Sequence, residues 1–499
     1  MSILNKIKDY YFLILIIFFF SIIISSNIQK PFIGHHDFNG AFFASIARNL
    51  IRYSPSDTKL GLILGSGPIS VLDASRYTHN VPLHTWILSL VFLLFGVGHT
   101  QARIVSAVFS VGALIFIYLI TQKLFSKSIA NIASLFFATS AMFLYFSTSV
   151  FPDIQGIFLS LAGFYYFLAY LKSNKNIEYL LLLSFSILSL LTIWGSFFLP
   201  PFLGFCLLFT EKKQKRKAVV LISLPIMIFL LFLVYVFIIS KSFTGGDLIG
   251  AALFRLNLGS QSKMFSFTLT QFVKQEITLL NAYYSKLTIV LVITWLFLNM
   301  YLLINKKATR EKSLVLILFL WGISYPLIFR NAAFIHDYFL IYLAPFIAIS
   351  SASLIGEIFG ILKNSSGFKY FYLFMFLVPF FQLLLVGKFT QALFKTSANR
   401  EGYILGNVLN KNTKFEDKIL ILSGQFGAHF GVFTDFYSDR HIDYSDYSIE
   451  KLQKVISNYQ YIVYIEGRDT GKEVDDYLLS HYPAISNASF KIYRIDEAN

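Results

Sequence analysis

The chain has 499 residues, of which 56% are hydrophobic and 18% aromatic, and only 14% are charged. Soluble domains carry about 25% charged residues, so a soluble globular protein is excluded. The net charge of +15 does not point to nucleic acid, because from Lys388 onward 13 basic residues stand against 15 acidic ones, while the first 387 residues hold 29 basic and 12 acidic.

In chain order, apolar runs long enough to cross a hydrocarbon core about 30 Å thick fall at 10–26, 102–121, 129–149, 154–171, 178–194, 196–210, 218–240, 287–304, 313–329, 338–356 and 370–387. The first follows Lys6 and Lys8 without a small-residue cleavage site, and reads as an uncleaved anchor rather than a signal peptide. A twelfth run, 81–98, is interrupted by Pro82 and His84 and ends at Gly96-Val-Gly98. Lying in the interface rather than spanning, it leaves every basic connector on one side: Lys6/Lys8, Lys123/Lys127, Lys172/Lys175, Glu211-Lys-Lys-Gln-Lys-Arg-Lys217, Lys306/Lys307/Arg310/Lys312 and Lys363/Lys369. Such clusters mark cytoplasmic loops. The expected fold is a polytopic α-helical membrane protein with about 11 transmembrane helices plus interfacial helices. Segments 27–101, 150–153, 241–286 and 330–337 then face outward.

At about Lys388 charge rises and strand-like patterning begins. Lys418–Ser423, Tyr459–Ile465 and Ser489–Ile495 read as strands, and Ser448–Ser457 and Gly471–His481 as helices. The division is a membrane domain, 1–387, and a small C-terminal α/β extracytoplasmic domain, 388–499. Cys206 is the sole cysteine, so neither an intrachain disulfide nor a cysteine zinc site can form.

Chemistry concentrates in the outward segments. Asp37, in Gly34-His-His-Asp-Phe-Asn39, opens a stretch in which Phe38, Phe42, Ile46 and Leu50 recur every four residues. That is the pattern of an interfacial helix with its apolar face in the membrane. Asp37 beside His35 and His36 is then a candidate base, although an N-cap role alone accounts for an Asp there. A second acid, Asp153, begins another span after Pro152, where a plain turn and cap is the competing reading. His79, Arg103, Arg330, His336 and Tyr338 sit at outward ends of spans. Arginine there suits a phosphate, and snorkelling to lipid headgroups is the alternative. Asp435–Asp446, with four acids and a histidine, fits no EF-hand spacing and reads as a solvated loop. Gly245-Gly246-Asp247 lacks a phosphate-loop context.

Taken in order, Asp37–Leu50, Tyr77–Trp86, Leu94–Arg103, Val150–Ile154 and His336–Pro345 resemble the polyprenyl-phosphate-sugar-dependent glycosyltransferases of the GT-C fold. Protein O-mannosyltransferases, aminoarabinose transferases and bacterial family 39 relatives are the nearest groups. The resemblance implies a GT-C-like membrane domain over roughly residues 1–350, a polyprenyl-phosphate sugar donor, and an acceptor that is a protein, glycolipid or polysaccharide. It implies Asp37 as general base and Asp153 as a second acid of the pocket, with His36, His79, Arg103, Arg330, His336 and Tyr338 binding substrate. The family's Asp-Glu pair is here Asp37-Phe38, and its Pro-Pro is Val81-Pro82. No cofactor is required: a divalent metal has His35-His36-Asp37 as ligands but is not expected. The implied partners are the donor, the acceptor and the bilayer, with no nucleic acid, and the active face of a plasma-membrane protein points outward. Two other classes stay open, a transporter or flippase of lipid-linked substrates and a catalytically silent polymer-binding scaffold. An oligosaccharyltransferase is the runner-up within the enzymes, against the absence of a Trp-Trp-Asp motif.

Overall fold

The computed structural model describes residues 10–211, 214–241, 248–258, 267–362, 368–422, 428–445, 447–465, 472–486 and 490–495, without side chains at 362–376 and 423–430. Lys6, Lys8, Lys212, Lys213, Lys363, Gly245-Gly246-Asp247, Asp446, Gly471, Ser489 and the Lys369 side chain lie outside them.

Among the described residues eight helices are long and apolar enough to cross a membrane: Tyr11–Ile28, His99–Leu124, Pro152–Ser173, Lys215–Ser240, Lys286–Ile304, Arg310–Ile328, Asp337–Ile361 and Leu377–Asn412. The protein is an integral membrane protein. The other three expected runs form shorter helices. Run 129–149 breaks into Lys127–Thr139 and Ala141–Phe146 because Ser140 is extended (φ −68°, ψ 137°) and its hydroxyl caps the second piece at the amide of Phe143. Runs 178–194 and 196–210 become Asn176–Leu190 and a 3-10 turn, Trp194–Phe198, that leads into Leu199–Thr210. The ambiguous run 81–98 is a helix of 13 residues, Leu83–Phe95. At about 1.5 Å per residue it reaches some 20 Å, too short to span.

The chain divides into two compact units. The first comprises residues up to Gln29, Thr78–His84 and Arg103–Phe394. Its centre is the Asp337–Ile361 segment, whose most apolar 18 residues are 94% buried, whereas Tyr11–Ile28 is only 28% buried and presents Phe18, Phe19 and Ile22 outward. Lipid is as apolar as these side chains, so packing rather than the hydrophobic effect holds such helices together. Close approach is visible at Gly322, where a Cβ would come within 2.6 Å of the carbonyl oxygen of Tyr342. Pro225 and Pro326 lie inside helices of this unit, as membrane helices tolerate.

The second unit comprises Lys30–Tyr77, Thr85–Ala102 and Lys395–Asn499. Its five-stranded sheet has the order β2-β1-β3-β5-β4, where β1 is Lys418–Leu422, β2 His441–Tyr444, β3 Tyr461–Ile465, β4 Ala484–Ser486 and β5 Phe490–Arg494. β2, β1 and β3 are parallel, and β5 and β4 run antiparallel. Alternation along the strands gives two cores. Ile419, Ile421, Val463 and Ile492 pack on Leu405 and Leu409 of the Arg400–Asn412 helix. Leu420, Leu422, Ile462 and Tyr493 pack on Leu452 and Leu478 of helices Ile449–Val455 and Lys472–His481. Side chains covered on both faces explain why β1 and β3 read as continuous apolar runs.

Two expectations are corrected in this unit. The Asp37–Arg52 helix does not present its apolar stripe to lipid. Ile46 and Leu50 are buried against Leu62, flanked by Phe42, Tyr77 and Trp86, because the chain returns through the Ile63–Arg76 bridge to cover that face. Nor is 435–446 a solvated loop: its first residues end the helix Ala428–Ser438, and His441–Tyr444 form an edge strand. Two residues separate them, Asp439 in the left-handed region (φ 53°) and Arg440.

Candidate functional site

In the second unit Asp37 is the first residue of its helix, behind His36 in the left-handed region (φ 57°). The carboxylate does not cap the helix. Instead its Oδ2 accepts from the backbone amides of Ile33 (3.0 Å) and Gly34 (2.6 Å). Only 3% of the residue is exposed. The sharp entry at His36 is what folds the preceding loop back over the carboxylate, and the two amides fix its orientation. Behind it, Gly40 presses against the Phe32 ring so closely that a Cβ would meet it at 2.6 Å. Asn399 ties the loop down, its amide donating to the carbonyl of Ile33 (3.2 Å) and its side chain to that of Gly34 (3.3 Å). The His35 and His36 rings lie 4.0 Å apart.

In the first unit Asp153 opens the Pro152–Ser173 helix and is 2% exposed. Its Oδ1 accepts a hydrogen bond from the Tyr342 hydroxyl at 2.6 Å. Tyr342 is clamped in turn by Gly195, where a Cβ would lie 2.2 Å from its Cζ, and the Gly195 carbonyl accepts from Trp321 Nε1 at 2.9 Å. Two residues on, Gln155 Oε1 lies 3.1 Å from Nδ1 of buried His84, whose pKa burial pushes down to about 4. Neutral imidazole therefore faces the amide at neutral pH.

The positive charge of Arg255 reaches Asp153. Among the described residues, Arg255 is also the only charged one lining a cavity of about 620 Å³ whose walls include Trp194, Phe198, Phe229, Leu233, Tyr325 and Phe329. An elongated apolar ligand with an anionic head suits that lining.

The remaining expected residues are spread over the first unit. His79 is half-buried, and its carbonyl accepts from Trp194 Nε1 at 2.7 Å. Arg103 is 1% exposed and donates to the carbonyl of Thr148 at 3.0 Å, tying the His99–Leu124 helix to the turn before Asp153. Arg330 is exposed at the start of the Arg330–Ile335 helix. His336 and Tyr338 stack, ring centroids 5.1 Å apart. Beside them the Tyr283 hydroxyl donates to Asp337 at 2.5 Å, and burial together with Asp337 pushes the Glu276 carboxyl up to about 7. The structure thus joins His336 to Tyr338 directly, joins Asp153 to neither, and places Asp37 and His36 in the other unit.

Sequence reasoning passed over Tyr342, Gln155, His84, Arg255 and Glu276. Tyr342 sits in an unbroken apolar stretch, and Arg255 in a loop read only for length. One signal was available for Arg255: it is a lone arginine in an outward segment, the same minority placement that singled out Arg330.

Residues 79–239 match the family model of dolichyl-phosphate-mannose-protein mannosyltransferases. No curated protein matches the chain in sequence. Among solved structures the fold is similar to that of ArnT from Cupriavidus metallidurans bound to undecaprenyl phosphate, at 12% identity and a TM-score of 0.62 over 97% of this chain and 98% of that one. The apo state of ArnT gives 0.64 over 97% of each. The oligosaccharyltransferase of Archaeoglobus fulgidus in its apo form is similar at 13% identity and a TM-score of 0.59, over 93% of this chain and 70% of that one. The chain is therefore a membrane protein of the GT-C fold.

Proposed function

We propose that the protein transfers a sugar from a polyprenyl-phosphate donor to an acceptor on the extracytoplasmic face, with inversion. The observation that carries this reading is the apolar cavity that Arg255 lines, the one charged residue there among the described residues: prenyl carbons fill the aromatic walls and the guanidinium meets the phosphate. The family match over 79–239 and the undecaprenyl phosphate bound by ArnT support the same donor class.

Asp37 is the proposed general base. Its carboxylate takes the proton of an acceptor hydroxyl as that oxygen bonds to C1 from the face opposite the phosphate. The C1–O bond to phosphate breaks, and its electron pair leaves with polyprenyl phosphate. This leaving group is stable as an anion, so it needs charge stabilisation rather than a general acid, and a single carboxylate suffices where a glycosidase needs two. Arg255 heads the candidates for that stabilisation, with Arg330, His336, Tyr338 and His79 further contributors on the outward side and His36 beside the base. Arg103 is assigned to holding the turn that carries Asp153, and Asp153 with Tyr342 to shaping the pocket. The sugar is a hexose or pentose.

The test uses reconstituted protein and radiolabelled polyprenyl-phosphate sugars. Wild type is expected to bind a donor and hydrolyse it slowly without acceptor. Asp37→Asn should bind it comparably and turn over about 10²- to 10⁴-fold more slowly, the usual contribution of a general base. Turnover by Asp37→Asn near the wild-type rate would falsify the base assignment, and failure to bind any lipid-linked sugar would favour a transporter or scaffold.

A further inference from the structure

The second unit holds a pocket of about 670 Å³ that the transfer reaction described above does not use. It is lined from the Asp37–Arg52 helix by Arg48 and Arg52, from the 395–499 region by Tyr403, Asn407, Asn410 and Tyr437, and by His99. Unlike the cavity beside Arg255, this lining is about half polar. It pairs amide and hydroxyl groups with ring faces: Tyr403 stands edge-on to Tyr437 at 4.7 Å, and His99 lies 6.1 Å from Tyr437.

Its charge is unbalanced. Arg48 and Arg52 converge on one carboxylate, Asp439, which pairs with Arg48 Nη2 at 3.1 Å and with Arg52 Nη2. The other acid near Arg48 is Asp435, which burial pushes up to about 7, so that it competes weakly for the guanidinium. Arg48 is 6% exposed, and although Nη1 donates to the Phe436 carbonyl at 2.9 Å, its Nε has no hydrogen-bond partner among the described residues.

From this lining we infer a binding site for an acidic saccharide, a sugar unit carrying a carboxylate or a phosphate. Arg52 meets the anion, with Arg48 behind it adding positive charge, Asn407 and Asn410 take ring hydroxyls, and Tyr403 and Tyr437 cover apolar ring faces. The volume falls within the range of about 300–1,000 Å³ of small-molecule sites. Binding stands without the transferase reading; only the further step, that this sugar belongs to the acceptor, rests on it.

The test is saturation-transfer NMR and calorimetry on the full chain in nanodiscs with glucose, glucuronate, glucose 6-phosphate and inorganic phosphate. Glucuronate or glucose 6-phosphate should bind about tenfold or more tighter than glucose, the scale of one added charge-assisted contact, and whichever is preferred identifies the anion. Arg52→Gln should remove that preference, and Asn410→Ala, an exposed substitution that leaves the fold intact, should weaken every sugar. Equal affinity for all three sugars, inorganic phosphate binding as tightly as either acidic sugar, no binding at all, or no response to Asn410→Ala would each overturn the inference. Binding is read without turnover, so its failure leaves the donor and base assignments standing.

Discussion

Two carboxylates in this chain have opposite surroundings. Asp37 accepts from two backbone amides, whereas Asp435 has the Tyr444 hydroxyl at 2.8 Å and a burial cost that raises it from 3.8 to about 7. A carboxyl raised on folding binds its proton more tightly in the native state, so its stabilising effect is complete below about pH 4 and lost as pH rises through about 7. Unfolding midpoints should accordingly fall between pH 5 and pH 8 in wild type and fall less in Asp435→Asn, whose Oδ1 still accepts from Tyr444. Parallel pH curves for the two proteins would refute this. Arg255 and Arg330 offer a second contrast, one lining the apolar cavity and the other exposed. Arg255→Ala should weaken donor binding by about tenfold, the worth of a charge-assisted hydrogen bond, with little change in Arg330→Ala. The reverse order in a donor titration would move the phosphate site to Arg330.

Elements are positioned by a few short-range devices. The helix break at Ser140 and the 3-10 turn Trp194–Phe198 divide apolar sequence that hydropathy alone treats as uninterrupted. The turn carries Gly195 against Tyr342. Gly195→Ala would drive a methyl group into that ring and displace the hydroxyl from Asp153. Overpacking of this kind costs about 1–3 kcal/mol, so the unfolding temperature in detergent should drop and turnover should fall with it. An unchanged melting temperature and turnover would show that Tyr342 yields freely and that its bond to Asp153 is dispensable. In the second unit Gly67 (φ 68°) does the same for backbone, because a Cβ there would meet the His441 amide nitrogen at 2.3 Å.

At the scale of the whole molecule, the C-terminal region is not a detachable appendage. Arg48 and Arg52 from the first loop pair with Asp439, Ser66 donates to the Arg440 carbonyl at 2.6 Å, and Phe32 packs on Phe436 at 5.3 Å. Truncation after Phe394 should leave buried Arg48 and half-buried Arg52 without their carboxylate, a loss of several kcal/mol where the partner of a buried charge is removed. Limited proteolysis should then cut within residues 53–77 far faster than in the intact protein. Equal protection in both would show that the first loop folds unaided.

The apolar runs, the basic connectors and the strands around Ile419 and Val463 were legible in the sequence because each depends on neighbours a few residues away. Asp37 and Asp153 stood out as acids in an apolar chain, and the GT-C resemblance followed from the order of short motifs. What only the tertiary structure decided depends on contacts far apart in sequence. Residues 30–77 join 395–499 in one unit because a buried charge needs a partner, and Asp439 lies 391 positions beyond Arg48. The apolar stripe of Phe42, Ile46 and Leu50 met protein rather than lipid; periodicity records that a face is buried but not by what. Tyr342 and Arg255 came near Asp153 only through packing, since hydrogen bonding and electrostatics act through space, which an apolar stretch or a loop length does not encode.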